Sequence, residues 1–351
     1  MQIGADQLQY YQMPAEWAPH KGTILTWPHR PAIWRGVHDR VEETFGLLAA
    51  RLSEVEEVHI SVPDLVWRKR AADLIAEHGG VMWRVTFYEI DSDDVWARDH
   101  GPIFVTKRPG APAELPPLVM LDWQFNAWGG KFASSLDNQV PRKLNARWGL
   151  PRIEPGLVME GGSLEVNGAG DLLTTEAVLL NDTRNPHLGA DGISLSLQQH
   201  LGVQRLHWLG RGLEGDDTDG HIDDLARFVD TQTIVVAYTE DPNHPDHEVL
   251  QDNWHRLHAL RDQQGRPFKV VALPVPEPIT FEDEHLPASY ANFYIANGLV
   301  LVPVFDQRSD AKALQVLESV MPNHKVLGID GRWLVTQYGN FHCVTQQIPL
   351  V

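Results

Sequence analysis

YGNFHCVTQQIP, residues 338–349, carries Cys343, the single cysteine among 351 residues. It is flanked by glycine, asparagine and histidine, not by an apolar helical stripe. A lone thiol cannot close a disulfide within its own chain. It is a buried small residue, a bystander or a nucleophile, and only a nucleophile requires other polar groups to converge on it from elsewhere in the sequence. Such groups recur at a fixed interval: His221 lies 122 residues before Cys343, Glu160 lies 61 before His221, and Asp99 lies 61 before Glu160. A chain of similar supersecondary units placed around an axis returns to that axis once per unit, at the same point in each unit. A pitch of 61 in 351 residues allows five units and a short tail, so the spacing predicts an α/β ring of about five modules with one central site. The competing reading is chance, since the residues around the four positions do not resemble one another.

Around these anchors the chain reads as one packed body. Hydrophobic residues make up 43% and twelve residues are tryptophan, with charge spread evenly and no low-complexity linker. The Pro- and Gly-rich breaks, KRPGAPAELPP at 107–117 and EDPNHPDH at 240–247, have the character of surface loops. A single catalytic domain spanning 1–351 is the expectation. Periodicity places amphipathic helices over 37–55, with Val41, Phe45, Leu48 and Leu52 on one stripe, and over 64–79. Further helices are predicted at 242–264 and 309–321. Strand candidates include VEEVHISVP, WRVTFYEI, PLVMLDWQF, LVMEGGSLEV, DLLTTEAVLL, ARFVDTQTIVVAY, FKVVALPVP, NFYIANGLVLVPVF and HKVLGID, which puts Asp99 in a loop just past a strand end. Strand pairs broken by helices are not the regular alternation of a dinucleotide-binding sheet, and no glycine-rich phosphate motif follows a strand, so no nucleotide cofactor is indicated.

Acidic residues outnumber basic ones by 47 to 29, a formal charge of −18, which disfavours nucleic acid as a partner and favours small cations near any acidic cleft. No basic start followed by an apolar run opens the chain, and no window reaches the length of a membrane span. With one cysteine, a cytoplasmic location is the expectation. A homo-oligomer is compatible with the sequence but not specified by it.

Two carboxylates, a histidine followed two residues later by a third carboxylate, and a thiol suit a planar guanidinium, whose fork of donors pairs with carboxylates by charge-assisted hydrogen bonds. Asp99 and Glu160 would fix its plane with the central carbon facing Cys343. His221 would protonate departing ammonia and then take a proton from water. In an extended GHID segment alternate side chains share a face, so Asp223 would stand beside His221 and orient it. Carboxylates around a thiol raise its pKa, whereas attack needs the thiolate, so the cationic substrate is expected to bring the thiol into working range.

At these residues the chain resembles the agmatine deiminases of the guanidino-group-modifying superfamily, which also holds arginine deiminase and bacterial-type peptidylarginine deiminases. MPAEWAPHKGTILTWP, DDVWARDHGP, MEGGSLEVNGAGDLLTTEAVLLNDTRNP, DDTDGHIDDLARFV, SYANFYIANGLVLVPVFD and GNFHCVTQQIP carry the resemblance nearly end to end. It implies a five-bladed α/β propeller of the pentein type and hydrolysis of agmatine to N-carbamoylputrescine and ammonia without metal or organic cofactor. It also implies that Cys343 is the covalent nucleophile, His221 the acid/base, and Asp99, Glu160 and Asp223 the acids holding the guanidinium, with Trp96 packed beside the substrate. Four residues before His221, where the agmatine-specific members often have glutamate facing the substrate's amine, stands Asp217; Glu214 and Asp216 are further candidates for the ammonium. Three rivals remain at this stage. One is a deiminase of free or peptide arginine, for which Arg98, Arg211 and Arg227 are the available carboxylate partners. The second is a metal-dependent hydrolase using His221, Asp219 and Asp223, and the third a non-catalytic polyamine-binding protein.

Overall fold

The computed structural model describes residues 3–351. Two sequence-predicted helices form as His38–Ser53 and Leu65–Glu77. The first turns Val41, Phe45, Leu48 and Leu52 fully inward, as a period of 3.6 residues requires of an apolar stripe. The second starts where the Asp64 side chain accepts the backbone N–H groups of Val66 and Trp67, capping donors that a helix start leaves free.

The strands are β1 Tyr11–Gln12, β2 His20–Thr26, β3 Glu57–Val62, β4 Val85–Glu89, β5 Ile103–Lys107, β6 Leu118–Leu121, β7 Arg152–Ile153, β8 Glu165–Val166, β9 Asp171–Thr175, β10 Arg205–Leu209, β11 Ala226–Phe228, β12 Thr233–Tyr238, β13 Lys269–Pro274, β14 Ile279–Phe281, β15 Glu284–Leu286, β16 Tyr294–Ala296, β17 Leu299–Val304, β18 Lys325–Asp330 and β19 Thr345–Pro349. They make a mixed α/β architecture in which one local pattern recurs. In each of β5-β6-β7, β8-β9-β10, β11-β12-β13 and β16-β17-β18 an antiparallel pair is followed by a parallel neighbour. The same order appears in β19-β2-β3-β4, where the opening strand comes from the other end of the chain. Parallel neighbours need a long crossover, and the helices His38–Ser53, Val140–Trp148, Ala190–Leu201, His247–Ala259 and Arg308–Val320 supply one in each sheet. Two of them, Val140–Trp148 and Ala190–Leu201, do not stand out from sequence periodicity. The β14-β15 hairpin pairs with no other strand among the described residues.

This repetition places chemistry at one point of each unit. Asp99 precedes β5, Glu160 precedes β8, His221 and Asp223 precede β11, Asn292 precedes β16, and Cys343 precedes β19. Asn292 escapes a search at constant pitch because the β14-β15 hairpin lengthens the segment before it.

Local conformation departs from expectation in three places. Asp99 lies on a helical turn, Ala97–His100, not in an open loop. GHID is not extended: His221 is the cap of a short 3-10 turn, Ile222–Asp224. His221 and Asp223 therefore converge through a tight turn rather than through strand alternation. LVMEGGSLEV is likewise not one strand, because a 3-10 turn over Gly161–Ser163 precedes β8. No helix among the described residues is long and apolar enough to cross a membrane.

Candidate active site

Cys343 is 4% exposed and sits at the base of a cavity of about 380 Å³ whose lining also includes Trp96, Asp94, Asp99, Trp128 and Asp217. The thiol donates to Asp223 Oδ2 over 3.7 Å, and Asn292 Nδ2 donates to the sulfur over 3.0 Å. Asn292 also donates to Asp224 Oδ1 and accepts the backbone N–H groups of His342 and Cys343, so one amide fixes the backbone and the sulfur of Cys343 together. The backbone N–H of Arg98 donates to the carbonyl of Cys343, which ties the Asp99 turn to the same place.

His221 is fully buried. Its Nε2 lies 3.3 Å from Glu160 Oε2, and its Nδ1 lies 3.7 Å from Asp99 Oδ1 and makes no hydrogen bond. Asp99 Oδ1 accepts the Gly162 N–H at 2.9 Å, and Asp99 Oδ2 accepts the Trp128 indole N–H at 3.1 Å. Trp128 holds this position with a left-handed backbone, as does Ala127 before it; such conformations are costly for residues other than glycine and persist where the surroundings enforce them. Gly162 lies at the convergence of three segments. A Cβ there would fall 2.5 Å from His221 Nδ1, 2.9 Å from Asp99 Oδ1 and 3.0 Å from Asp223 Oδ2.

The electrostatics follow from burying more anions than cations. Burial, with Asp223, Asp224 and Asp99 adding to it, pushes the Cys343 thiol well above the usual cysteine value. Burial works against a charged His221, but Asp99, Glu160 and Asp223 outweigh it and raise the imidazole to about 10. Asp99 is itself raised to about 6, by burial and by Asp223 and Glu160 against the pull of His221. Asp223 goes the other way: burial disfavours its charge, but a 2.6 Å contact with His342 Nδ1 helps to hold it below the usual carboxylate range. Asp223 Oδ1 and Asp224 Oδ2 are buried acceptors without a hydrogen-bond partner, and a buried acceptor left unpaired carries a desolvation cost that a donor-rich ligand can relieve.

The sequence-predicted residues divide accordingly. Cys343, Asp99, Trp96 and Asp217 line the cavity, while His221 and Asp223 pack directly behind its floor. Glu160 does not face the cavity: Arg184 Nε donates to its Oε1 at 2.7 Å and its other oxygen points at His221, so the carboxylates beside the sulfur are Asp99, Asp223 and Asp224, and not Glu160. Asp216 is spent on its own loop, accepting from Thr218 and from the His221 backbone N–H. Glu214 lines a separate hollow with Arg211 and Glu248 and is absent from the cavity. Asp94, Trp128, Arg184 and Asn292 were missed. Arg184 and Asp94 lie inside the resemblance blocks but carry no spacing signal of their own, and Trp128 and Asn292 are neither titratable nor nucleophilic.

The alternative ligand sets are also placed. Arg98 and Arg227 are buried against Glu16, with Arg227 also on Glu165, and Arg211 lies in the separate hollow. None of the three can meet a substrate carboxylate in the cavity. Asp219 pairs with Lys131 and Arg184, so it does not join His221 and Asp223 as a metal-binding set. Asp223, Asp224 and Cys343 do bring one ligand atom each within 4.8 Å of one another, a compact buried group that a cation of either kind, metal or organic, would satisfy.

The model of the family described as Porphyromonas-type peptidyl-arginine deiminase matches residues 12–349. Agmatine deiminase of Medicago truncatula is 37% identical to this chain, covering 97% of each protein, and that of Ectopseudomonas mendocina is 36% identical over 97% of this chain and 95% of its own. The solved structure of agmatine deiminase from Enterococcus faecalis superposes with a TM-score of 0.91 at 31% identity, covering 99% of this chain and 98% of that one. An end-to-end match of this kind, over a thiol ringed by buried acids and a charged imidazole, leaves one assignment: the chain belongs to the Porphyromonas-type peptidyl-arginine deiminase family.

Proposed function

We propose that the protein hydrolyses agmatine to N-carbamoylputrescine and ammonia through a covalent amidino-cysteine intermediate. The observation that carries the reading is the excess of buried anion around Cys343: Asp99, Asp223 and Asp224 surround a thiol in a site that a planar cation would neutralise. Asp99 and Asp223 receive the guanidinium N–H groups, and Trp96 and Trp128 flank the substrate. As the cation binds, the thiol gives up its proton to solvent, and the sulfur attacks the guanidinium carbon. His221, as imidazolium, protonates the departing nitrogen so that it leaves as ammonia. The now neutral His221 takes a proton from water as its oxygen adds to the amidino carbon, and the adduct passes its hydroxyl proton to the departing sulfur as it collapses to the ureido product and the free thiol. Glu160, fixed by Arg184, keeps His221 in place and charged.

Agmatine is favoured over arginine by the outer cavity, where Asp217 waits for a positive tail and Arg98, Arg211 and Arg227 all lie elsewhere. Ammonia release with agmatine exceeding that with arginine by about 10²-fold or more in kcat/KM is the expected result; equal turnover, or preference for arginine, contradicts the choice of substrate. No nucleotide or metal enters this scheme. The five recurrent sheets are taken as modules of one catalytic domain, residues 1–351, set as a five-bladed propeller about the site. In support, the strand β19 completes the sheet begun by β2, which a ring requires, and five equivalent strand approaches supply the site.

Gly162→Ala is expected to keep the fold, since Gly162 is not among the residues with positive φ. It lowers kcat/KM by about 10²-fold, because the methyl group displaces His221 and the two aspartates by a fraction of an ångström or more. Steady-state ammonia release together with a thermal melt checks both halves.

A further inference from the structure

At the mouth of the same cavity three residues from remote segments meet. Arg35 Nη1 donates to Glu284 Oε2 at 2.6 Å, Arg35 Nη2 donates to the Tyr338 hydroxyl at 3.0 Å, and that hydroxyl donates to the same Glu284 oxygen at 2.8 Å. The Arg35 guanidinium lies 5.8 Å from the centroid of the Tyr338 ring, and Glu282 adds a second carboxylate at 3.7 Å. Arg35 and Tyr338 line the cavity, and among the described residues Arg35 is the only Lys or Arg that does so. Both hold left-handed backbones, with φ of 45° and 67°, a conformation that non-glycine residues adopt against their preference. Glu284 opens β15 of the hairpin that pairs with no other sheet, and the two turn residues, Glu282 and Asp283, are left-handed as well.

An exposed ion pair contributes little to stability, and the Glu284 side chain is 52% exposed, so stability does not account for spending two strained residues on this contact. Charge does. The tail of a substrate whose guanidinium sits beside Cys343 reaches the zone of Asp217 and Arg35. With Arg35 occupied by Glu284, that zone is net negative; with Arg35 free, it presents a fork suited to a carboxylate. Asp217 registers both neighbours, Glu284 raising its pKa and Arg35 lowering it, behind the larger effects of burial, Lys131 and Asp219.

We propose that Glu284, with Tyr338, sets the charge preference of the site by masking Arg35, so that guanidines with a cationic tail are accepted and those with an anionic tail refused. The inference rests on the deiminase reading and concerns what that reading leaves open. The test compares agmatine with γ-guanidinobutyrate, which has a carboxylate in place of the amine-bearing end, by measuring ureido product from the full chain. In Glu284→Gln the amide keeps the size and can still accept from Arg35, but the charge is gone, and the ratio of kcat/KM for agmatine to that for γ-guanidinobutyrate falls by about tenfold or more. Tyr338→Phe, which releases Arg35 from the other side, moves the ratio in the same direction. Adding Arg35→Gln to Glu284→Gln removes the gain for γ-guanidinobutyrate. A wild type active on agmatine whose ratio moves less than about twofold in both single variants overturns the role of Glu284 and leaves the deiminase reading standing. A wild type that turns over neither compound sinks both.

Discussion

Cys343→Ala abolishes agmatine turnover, with a loss of about 10⁴-fold or more in kcat, while agmatine still binds. The two halves separate because different atoms carry them. In the proposed mechanism the sulfur forms the bond to carbon, whereas the guanidinium is held by Asp99 and Asp223, whose positions are fixed by Gly162, Trp128 and His342. Removing one small side chain behind a tightly hydrogen-bonded Asn292 leaves the surrounding backbone anchored. Calorimetric titration of the variant with agmatine, beside an ammonia assay, reads both. Retention of more than about a hundredth of the wild-type rate places the nucleophile elsewhere.

His221→Gln lowers kcat by about 10³-fold, within the range that a positioned proton donor supplies. The shift of His221 to about 10 fixes the sign of the pH dependence. The imidazole is protonated throughout the neutral range and loses its proton as pH rises through about 10, so the alkaline fall of wild-type kcat/KM lies there. On the acid side Asp99, raised to about 6, takes up a proton as pH falls through that value, and the cationic substrate loses one of its two partners. In His221→Gln the alkaline limb disappears, and the acid limb moves to higher pH because the neighbouring positive charge no longer lowers Asp99. A variant whose profile matches the wild type in shape, scaled down, contradicts the proton-donor role.

Much of the site was legible because a recurring sheet pattern writes the same point of each unit into the sequence as a spacing, and intervals of one, one and two steps of 61 residues among four residues of complementary chemistry are hard to reach otherwise. The interval failed where the fold inserts material. The β14-β15 hairpin lengthens one unit, so Asn292 stands off the 61-residue pitch although it occupies the equivalent point before β16 and contacts the sulfur directly. Roles within the set were less legible than membership. Glu160 shares the pitch with Asp99, but pitch cannot show that Arg184, 24 residues on, turns its carboxylate away from the cavity. Likewise LEGDDTDG offers three acids in a row of four positions, and only the tight turn before His221 decides that Asp217 faces the cavity, Asp216 the loop and Glu214 a different hollow. Helices with a clear apolar stripe, such as His38–Ser53, were readable; Ala190–Leu201, which opens with alanine, aspartate and glycine and carries two serines, hides its few inward leucines and isoleucine among weak formers.

The thiol supplies the most direct measurement. Wild-type protein mixed with agmatine, quenched in acid within milliseconds and digested, should yield a peptide containing Cys343 that carries one amidino group, the adduct rising before ammonia reaches its steady rate. Steady ammonia release with no adduct on Cys343 at any time point, under conditions where the unmodified peptide is recovered, would contradict covalent catalysis by this residue.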